Sequence, residues 1–412
     1  MIVLHELPFT VVEYDGFRKF VSTLNPLFKM VSRTTIKLDC MKSFEDAKFE
    51  LRELFKNSNS KVSLTADMDF QSNSRDKLFS ITLDNAKVNN SMMDLLKANL
   101  LLKKMLPCEG NLFHVHCGAH VINLAVQYGL RKISGIVSNI RESVKYIKSS
   151  QSRREKFEEI AVQMGISLEK QPTLDISTSW NSTYLMLQSA YKSFTTAPTL
   201  AEWIRSKAVR EFLKTFYDAT NVPSGSSYPT ANLYFHQLWK IKLAMDKEIS
   251  NSDQYIVAMV KEMQKKFMQY WRITYLSFSV PVILDPRFKY SFVDFWLNQF
   301  FGEDAVPKLG RIMRTLRKLF SEYFQTNRAE LEPQTHCAQE NIQKDDSFDD
   351  WDQHQRAQLR TQSSILARMA CDVLSVPAST VPSESAFSTG ERVVSDFRSR
   401  LSMDTVEALI CL

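Results

Sequence analysis

Glycine is scarce in this chain: ten in 412 residues, too few for the turn-rich pattern of an all-β protein. No apolar run approaches the ~18 residues that a membrane-spanning helix needs, so no span is expected. The six cysteines, at 40, 108, 117, 337, 371 and 411, show no CxxC spacing. That pattern argues against a disulfide framework and suits reduced thiols inside a cell. The opening Met1-Ile-Val-Leu-His-Glu has no cationic segment before its short apolar stretch, so it does not read as a secretory signal. No internal repeat is visible. What is present is 44% hydrophobic residues, enough to build the cores of two or three domains. A formal net charge of +6 hints at a polyanionic partner.

That charge is concentrated. Between Arg131 and Lys156 stand eight basic and two acidic residues, a local excess equal to that of the whole chain. Arg141, Lys145 and Lys148 recur at helical i, i+4, i+7 spacing, Arg153 and Arg154 follow, and Val144, Ile147 and Phe157 supply an apolar side. A cationic helix face can neutralise phosphates and release their counterions, giving affinity without base readout. The alternative is an ordinary solvated face.

The remaining pattern is mostly helical. Val11 to Leu24 and Met41 to Lys56 are amphipathic, and two β-rich runs follow at Lys61–Asp67 and Leu78–Asp84. From Lys87 to about Asp218 the apolar spacing is helical. Ser224 to Pro229 is a turn cluster, and Asp285-Pro-Arg-Phe-Lys289 a helix-breaking corner. Residues 325–353 are polar and rich in Asp, which reads as a flexible linker.

The segment from Ile365 to Leu412 contains Pro382-Ser-Glu-Ser-Ala-Phe-Ser-Thr-Gly390, Phe397-Arg-Ser-Arg-Leu401 and Val406-Glu-Ala-Leu-Ile410. In that order these runs resemble the C-terminal dimerisation region of hAT-superfamily transposases, the sleeper-type plant proteins especially. Further landmarks match the same family in order: LTAD at 64–67, TLDNA at 82–86, HVHCGAHVINL at 114–124, STSWNSTYLM at 177–186, SGSSYPTANLYF at 224–235 and ILDPRFKY at 283–290. HELPF at 5–9 resembles the helical lead-in. The resemblance implies an α/β but mostly helical chain, a truncated ribonuclease H-like domain with a large helical insertion. The expected division is a helical lead-in at 1–60, the N-terminal part of the ribonuclease H-like domain at 61–130, the insertion at 131–324, the acidic linker at 325–353 and the dimerisation region at 354–412.

The resemblance also implies a catalytic set. Three carboxylates, Asp67, Asp84 and Glu384 by position, would hold two Mg²⁺ ions that activate water or a 3′-hydroxyl against a phosphodiester. Each taken alone reads as a surface or capping acid; Asp84-Asn85 before a helical run is a good N-cap. Spacing argues against catalysis. Relatives place two more strands and a helix between the first two aspartates, whereas sixteen residues separate them here. The connector from Asp69 to Lys77 is nine residues, shorter than the usual parallel crossover. Extended, it reaches ~30 Å, so a bare loop between parallel strands remains open beside an antiparallel hairpin. The expectation is no cofactor, with Mg²⁺ needed only if catalysis survives.

Where relatives carry Arg before the Trp of WNSTY, this chain has Ser179. Trp180 either stacks on a base, as the family's tryptophan does, or pairs with Tyr184 in a core. His114, His116, Cys117 and His120 lack a CxxC partner pair, and a packing role is expected over zinc. The family's upstream BED zinc finger is expected to be missing, since Met1 falls within the lead-in. Self-association is assigned to Ile365, Met369 and Val373 on one helix and Val406, Leu409 and Ile410 on another, with Phe387 and Leu401 between. The chain is thus expected to be a transposase-derived nuclear protein that dimerises, with itself or related proteins, and binds DNA without cleaving it. The alternatives are a transposase retaining metal-dependent strand transfer and a relic that only dimerises.

Overall fold

The computed structural model of the chain describes residues 2–5, 7–65, 77–163, 172–176, 180–193, 200–221, 230–331, 349–381, 383 and 401–411. Its contacts divide it into two compact units, residues 61–380 and residues 1–60 with 381–412.

The larger unit is organised by a short sheet. β1 (Val62–Thr65), β2 (Leu78–Leu83) and β3 (His114–His116) lie in that order, all parallel. Leu64 pairs with Ile81 and Thr65 with Thr82, while Thr82 pairs with Val115 and Leu83 with His116. Every residue of β2 is buried, which is what a central parallel strand covered on both faces requires. The two β-rich runs are therefore parallel neighbours, so their carboxyl ends lie at one edge of the sheet. β3 falls in a stretch expected to be helical. Three residues are too few to display a period, and His114–His116 is extended because β2 offers it a ladder.

Helices supply the rest. α3 (Lys87–Leu102) packs Met93 and Leu100 with Leu78, Ile81 and Leu83. α4 (Gly118–Leu130) lies against α10 (Gln254–Leu284), which also packs on α9 (Ala231–Glu248). Two glycines of α4 permit close approach: a Cβ at Gly129 would stand 2.3 Å from Cγ of Met263 on α10, and one at Gly118 2.1 Å from Cε1 of Tyr234 on α9. Between α9 and α10 runs an aromatic core, with Phe235 and Trp271 ring centroids 5.6 Å apart and Trp271 and Phe278 6.4 Å. α5 (Ser134–Lys148), α6 (Gln151–Gln163), α7 (Trp180–Ser193) and α8 (Leu200–Asn221) form a second helical layer.

α10 ends where the Asp-Pro corner demands. Asp285 caps it, and its carboxylate accepts from Arg287 N at 3.0 Å, Arg287 Nη2 at 2.7 Å and Asn232 Nδ2 at 2.7 Å. α11 (Tyr290–Phe301) and α12 (Ala305–Leu331) follow, then α13 (Asp349–Leu374). The expected linker is shorter than its polar composition suggested: 325–331 continue α12 and 349–353 begin α13. Residues 332–348, like the turn cluster at 224–229, lie outside the described residues. The buried carboxylate of Asp372 in α13 accepts from Tyr323 Oη at 2.6 Å and from Lys61 N at 3.0 Å, tying the start of β1 to the end of the unit. Burial pushes that carboxyl up from the usual range.

The smaller unit contains α1 (Asp15–Leu24), α2 (Arg33–Asn57) and α14 (Met403–Cys411). α14 lies along α2, with Lys48 Nζ 3.9 Å from Glu407 Oε1. Among the described residues, no helix is long and apolar enough to cross a membrane.

Candidate functional site at the carboxyl edge of the sheet

A parallel sheet gathers the ends of its strands on one side, and open α/β folds place their chemistry there. Asp84 stands just past β2. Its Oδ1 accepts from Ala86 N at 3.0 Å and also from the Asn89 side-chain amide, closing a turn at the entry to α3. Next to it, Asn85 Oδ1 lies 2.8 Å from His116 Nδ1 at the end of β3. Cys117 follows and caps α4 through its sulfur, which accepts from His120 N at 3.4 Å.

A distant segment is stitched to the same edge. Thr82 Oγ1 donates to Pro377 O at 2.8 Å, and Gly118 N donates to Ala378 O at 2.8 Å. Thr380 donates to the Cys117 sulfur through N at 3.3 Å and through Oγ1 at 3.2 Å. Residues 376–380 are thus held where Asp84 stands, and Glu384 comes four residues later in sequence. Glu384 itself, and Asp67 two residues past β1, lie outside the described residues.

The described side chains do not make up the donor set of a two-metal centre. Asp84 contributes one carboxylate, already engaged by α3, and its neighbours Asn85, Asn89 and His116 are neutral or amide groups. Among the described residues no three His, Cys, Asp or Glu side chains are grouped to hold a metal ion. Around the HVHC run, the His114 and His116 rings lie 4.2 Å apart, and burial, with His116 and Lys97 nearby, lowers the His114 pKa to about 4. Cys117 is fully buried and serves as a hydrogen-bond acceptor for both α4 and the 376–380 segment.

The basic stretch divides in two. On α5, Val137, Ile140, Val144 and Ile147 are buried, as the spacing requires, and Lys145 and Lys148 are exposed. Arg141 departs from its expected role. Its guanidinium grips Asp175 with both Nε and Nη2 at 2.7 Å, and Thr183 Oγ1 donates to the same carboxylate at 2.8 Å. Arg141 therefore ties α5 to the segment before α7; it is not an open phosphate contact. The hydrogen bonds from Arg141 hold the Asp175 carboxyl below the usual range despite its burial. Arg153 is exposed, 4.1 Å from the Tyr146 ring centroid, with Nη1 2.5 Å from Ser149 Oγ. Arg154 is half-buried. Asp175 had no signal in the sequence, since its value lies in a partner 34 residues away.

Trp180 and Tyr184 are both 3% exposed and sit in the main core with Phe212 and Phe216. At that burial the indole has no face open to a base, so of the two readings the core one describes it. A similar correction applies to the first self-association helix. Ile365, Met369 and Val373 are buried inside the larger unit, where α13 packs on α10 and α12. Their apolar stripe is used within the chain. On the second helix Leu409 is buried in the smaller unit and Val406 and Ile410 are half-buried, as is Leu401. Phe387 lies outside the described residues.

Three family models match the chain in order: the ZBED1 RNase-like helical domain at residues 115–222, the hAT-like transposase RNase-H fold at 232–323, and the hAT family C-terminal dimerisation region at 339–412. Along its whole length the chain is similar to the zinc finger BED domain-containing protein RICESLEEPER 2 of Oryza sativa subsp. japonica, at 29% identity over 72% of that protein. It is likewise similar to the putative AC transposase of Zea mays, at 29% identity over 63% of that protein. With the zinc finger BED domain-containing protein DAYSLEEPER of Arabidopsis thaliana the identity is 27% over 72% of its length. The first of these alignments runs over 532 positions against 412 residues here, so the relative carries stretches inside the aligned span that have no counterpart in this chain.

Proposed function

The chain belongs to the hAT transposase family, and from that premise we propose that it is a transposase-derived nuclear protein that dimerises through its C-terminal region and holds DNA without cutting it. The observation that carries the loss of catalysis is the sheet edge. Sixteen residues separate Asp67 from Asp84, and the sheet between them consists of directly neighbouring parallel strands. Those sixteen residues, six of which form β2, are too few to hold the additional strands that relatives place between the two aspartates in sequence. Asp84 is committed to the turn that starts α3.

DNA contact is supported by the exposed cations of α5 and α6: Lys145, Lys148, Arg153 and Lys156. They lie on two consecutive helices and would meet phosphates without reading bases. Association with a second copy rests on the matched dimerisation region. Asp67, Asp84 and Glu384 are the residues that would hold Mg²⁺ by resemblance, and the ion would supply charge neutralisation at a phosphodiester.

The test is a duplex DNA incubated with the purified chain and Mg²⁺ or Mn²⁺, read on a denaturing gel beside a mobility-shift assay. A shift without nicks or hairpins is expected. Cleavage that disappears in Asp84→Asn or Glu384→Gln restores the enzyme. Absence of any shift at low salt leaves a protein that only dimerises.

A further inference from the structure

The described residues of the smaller unit bury few apolar side chains. Among its described residues the buried apolar side chains are Val12, Phe44, Ala408 and Leu409, and the large apolar side chains left exposed outnumber them. A module this small ordinarily needs another source of burial, and oligomerisation is one.

The deficit is clearest on α2. Ile36, Cys40, Phe44, Ala47, Leu51 and Leu54 recur at intervals of four, four, three, four and three, one continuous stripe along the helix. In its first half Phe44 is buried and Ile36 and Cys40 are half-buried, with the turn Phe9–Glu13 and α14 lying on the helix. The second half is bare, with Leu51 52% and Leu54 68% exposed. α14 is the last helix of the matched dimerisation region, and it lies on α2 with Glu407 beside Lys48, three residues before Leu51. The stripe's flanks are oppositely charged, Lys48 and Arg52 on one side, Asp46, Glu50 and Glu53 on the other. Two such helices side by side in parallel set unlike flanks against each other; an antiparallel pair sets like against like.

We propose that the second half of α2 is an interface for a second copy of this chain, packing parallel on the partner's α2 about a two-fold axis. The dimer seam then reaches beyond the C-terminal region into the first sixty residues, upstream of every matched segment. The inference rests on the reading that the chain self-associates.

Light scattering of wild type and Leu54→Asp at tens of micromolar, with circular dichroism of both, tests it. A wild-type dimer and a monomeric variant of unchanged helicity are expected. Should the aspartate unfold the unit, Leu54→Cys replaces it: a parallel pair brings the two thiols together, and oxidation gives a covalent dimer absent from wild type. A dimeric wild type whose Leu54→Asp form stays dimeric, or whose Leu54→Cys form does not crosslink, overturns the α2 interface and leaves self-association standing. A wild type that is monomeric throughout removes self-association itself.

Discussion

Single residues here acquire roles through what they touch. Trp180 is the clearest: with 3% exposure and a place in the main core, it supports the fold. Trp180→Ala is expected to cost about 3–5 kcal/mol, as truncation of a large core aromatic does. Urea denaturation checks the cost, and a loss of DNA affinity in variant molecules that remain fully folded would return the indole to the interface. Asp285 offers a pH signature. Hydrogen bonds from Arg287 and Asn232 lower its pKa to about 2, against the ordinary aspartate value of about 3.9. A carboxyl depressed in the folded state adds stability that is complete above the ordinary value and lost as pH falls through the folded one. Asp285→Asn should therefore flatten the acid limb of stability between about pH 4 and pH 2, measured as the denaturation midpoint at each pH. An unchanged slope would mean that the corner is tied by other groups.

At the scale of elements, α5 and α6 separate a cation paired with a buried carboxylate from cations that stand in solvent. Lys145, Lys148 and Arg153 are exposed, whereas Arg141 is occupied by Asp175. Replacing the three exposed residues by Gln is expected to lower the log–log salt slope of duplex binding by about 2–3, without altering the melting temperature. Arg141→Gln should do the reverse. It leaves Asp175, whose side chain is wholly buried, without its counter-ion, so stability falls while the slope stays. Fluorescence anisotropy over a salt series, with thermal melts of each variant, distinguishes the two patterns. Equal slopes for wild type and the triple variant would make the face merely solvated.

At the scale of the whole molecule, the sheet edge is built from parts far apart in the chain. Thr82 and Cys117 are bridged to residues 377–380 by hydrogen bonds spanning 295 and 263 positions. The C-terminal segment thereby closes the larger unit before entering the smaller one. Asp84 belongs to this scaffold through Asn89 and the start of α3, so Asp84→Asn is expected to show up in thermal stability and leave DNA association as it was. A variant that melts like wild type yet abolishes a metal-dependent cleavage would invert that assignment.

The sequence by itself determined what depends on near neighbours and on order. Periodic apolar positions placed the helices, the β-branched runs located β1 and β2, Asp285-Pro286 ended α10, and the ordered motifs led to the family. Tertiary structure alone decided what depends on partners. Whether β1 and β2 ran parallel turned on the pairing of Leu64 with Ile81, and the strand character of His114–His116 turned on β2. The fates of Arg141, Trp180 and the Ile365–Met369–Val373 stripe turned on Asp175, the aromatic core and the packing of α13. A helical stripe announces that it must be buried, and a basic side chain that it must be paired or solvated. Neither names the surface it meets, because that surface is brought to it by chain tens to hundreds of residues away.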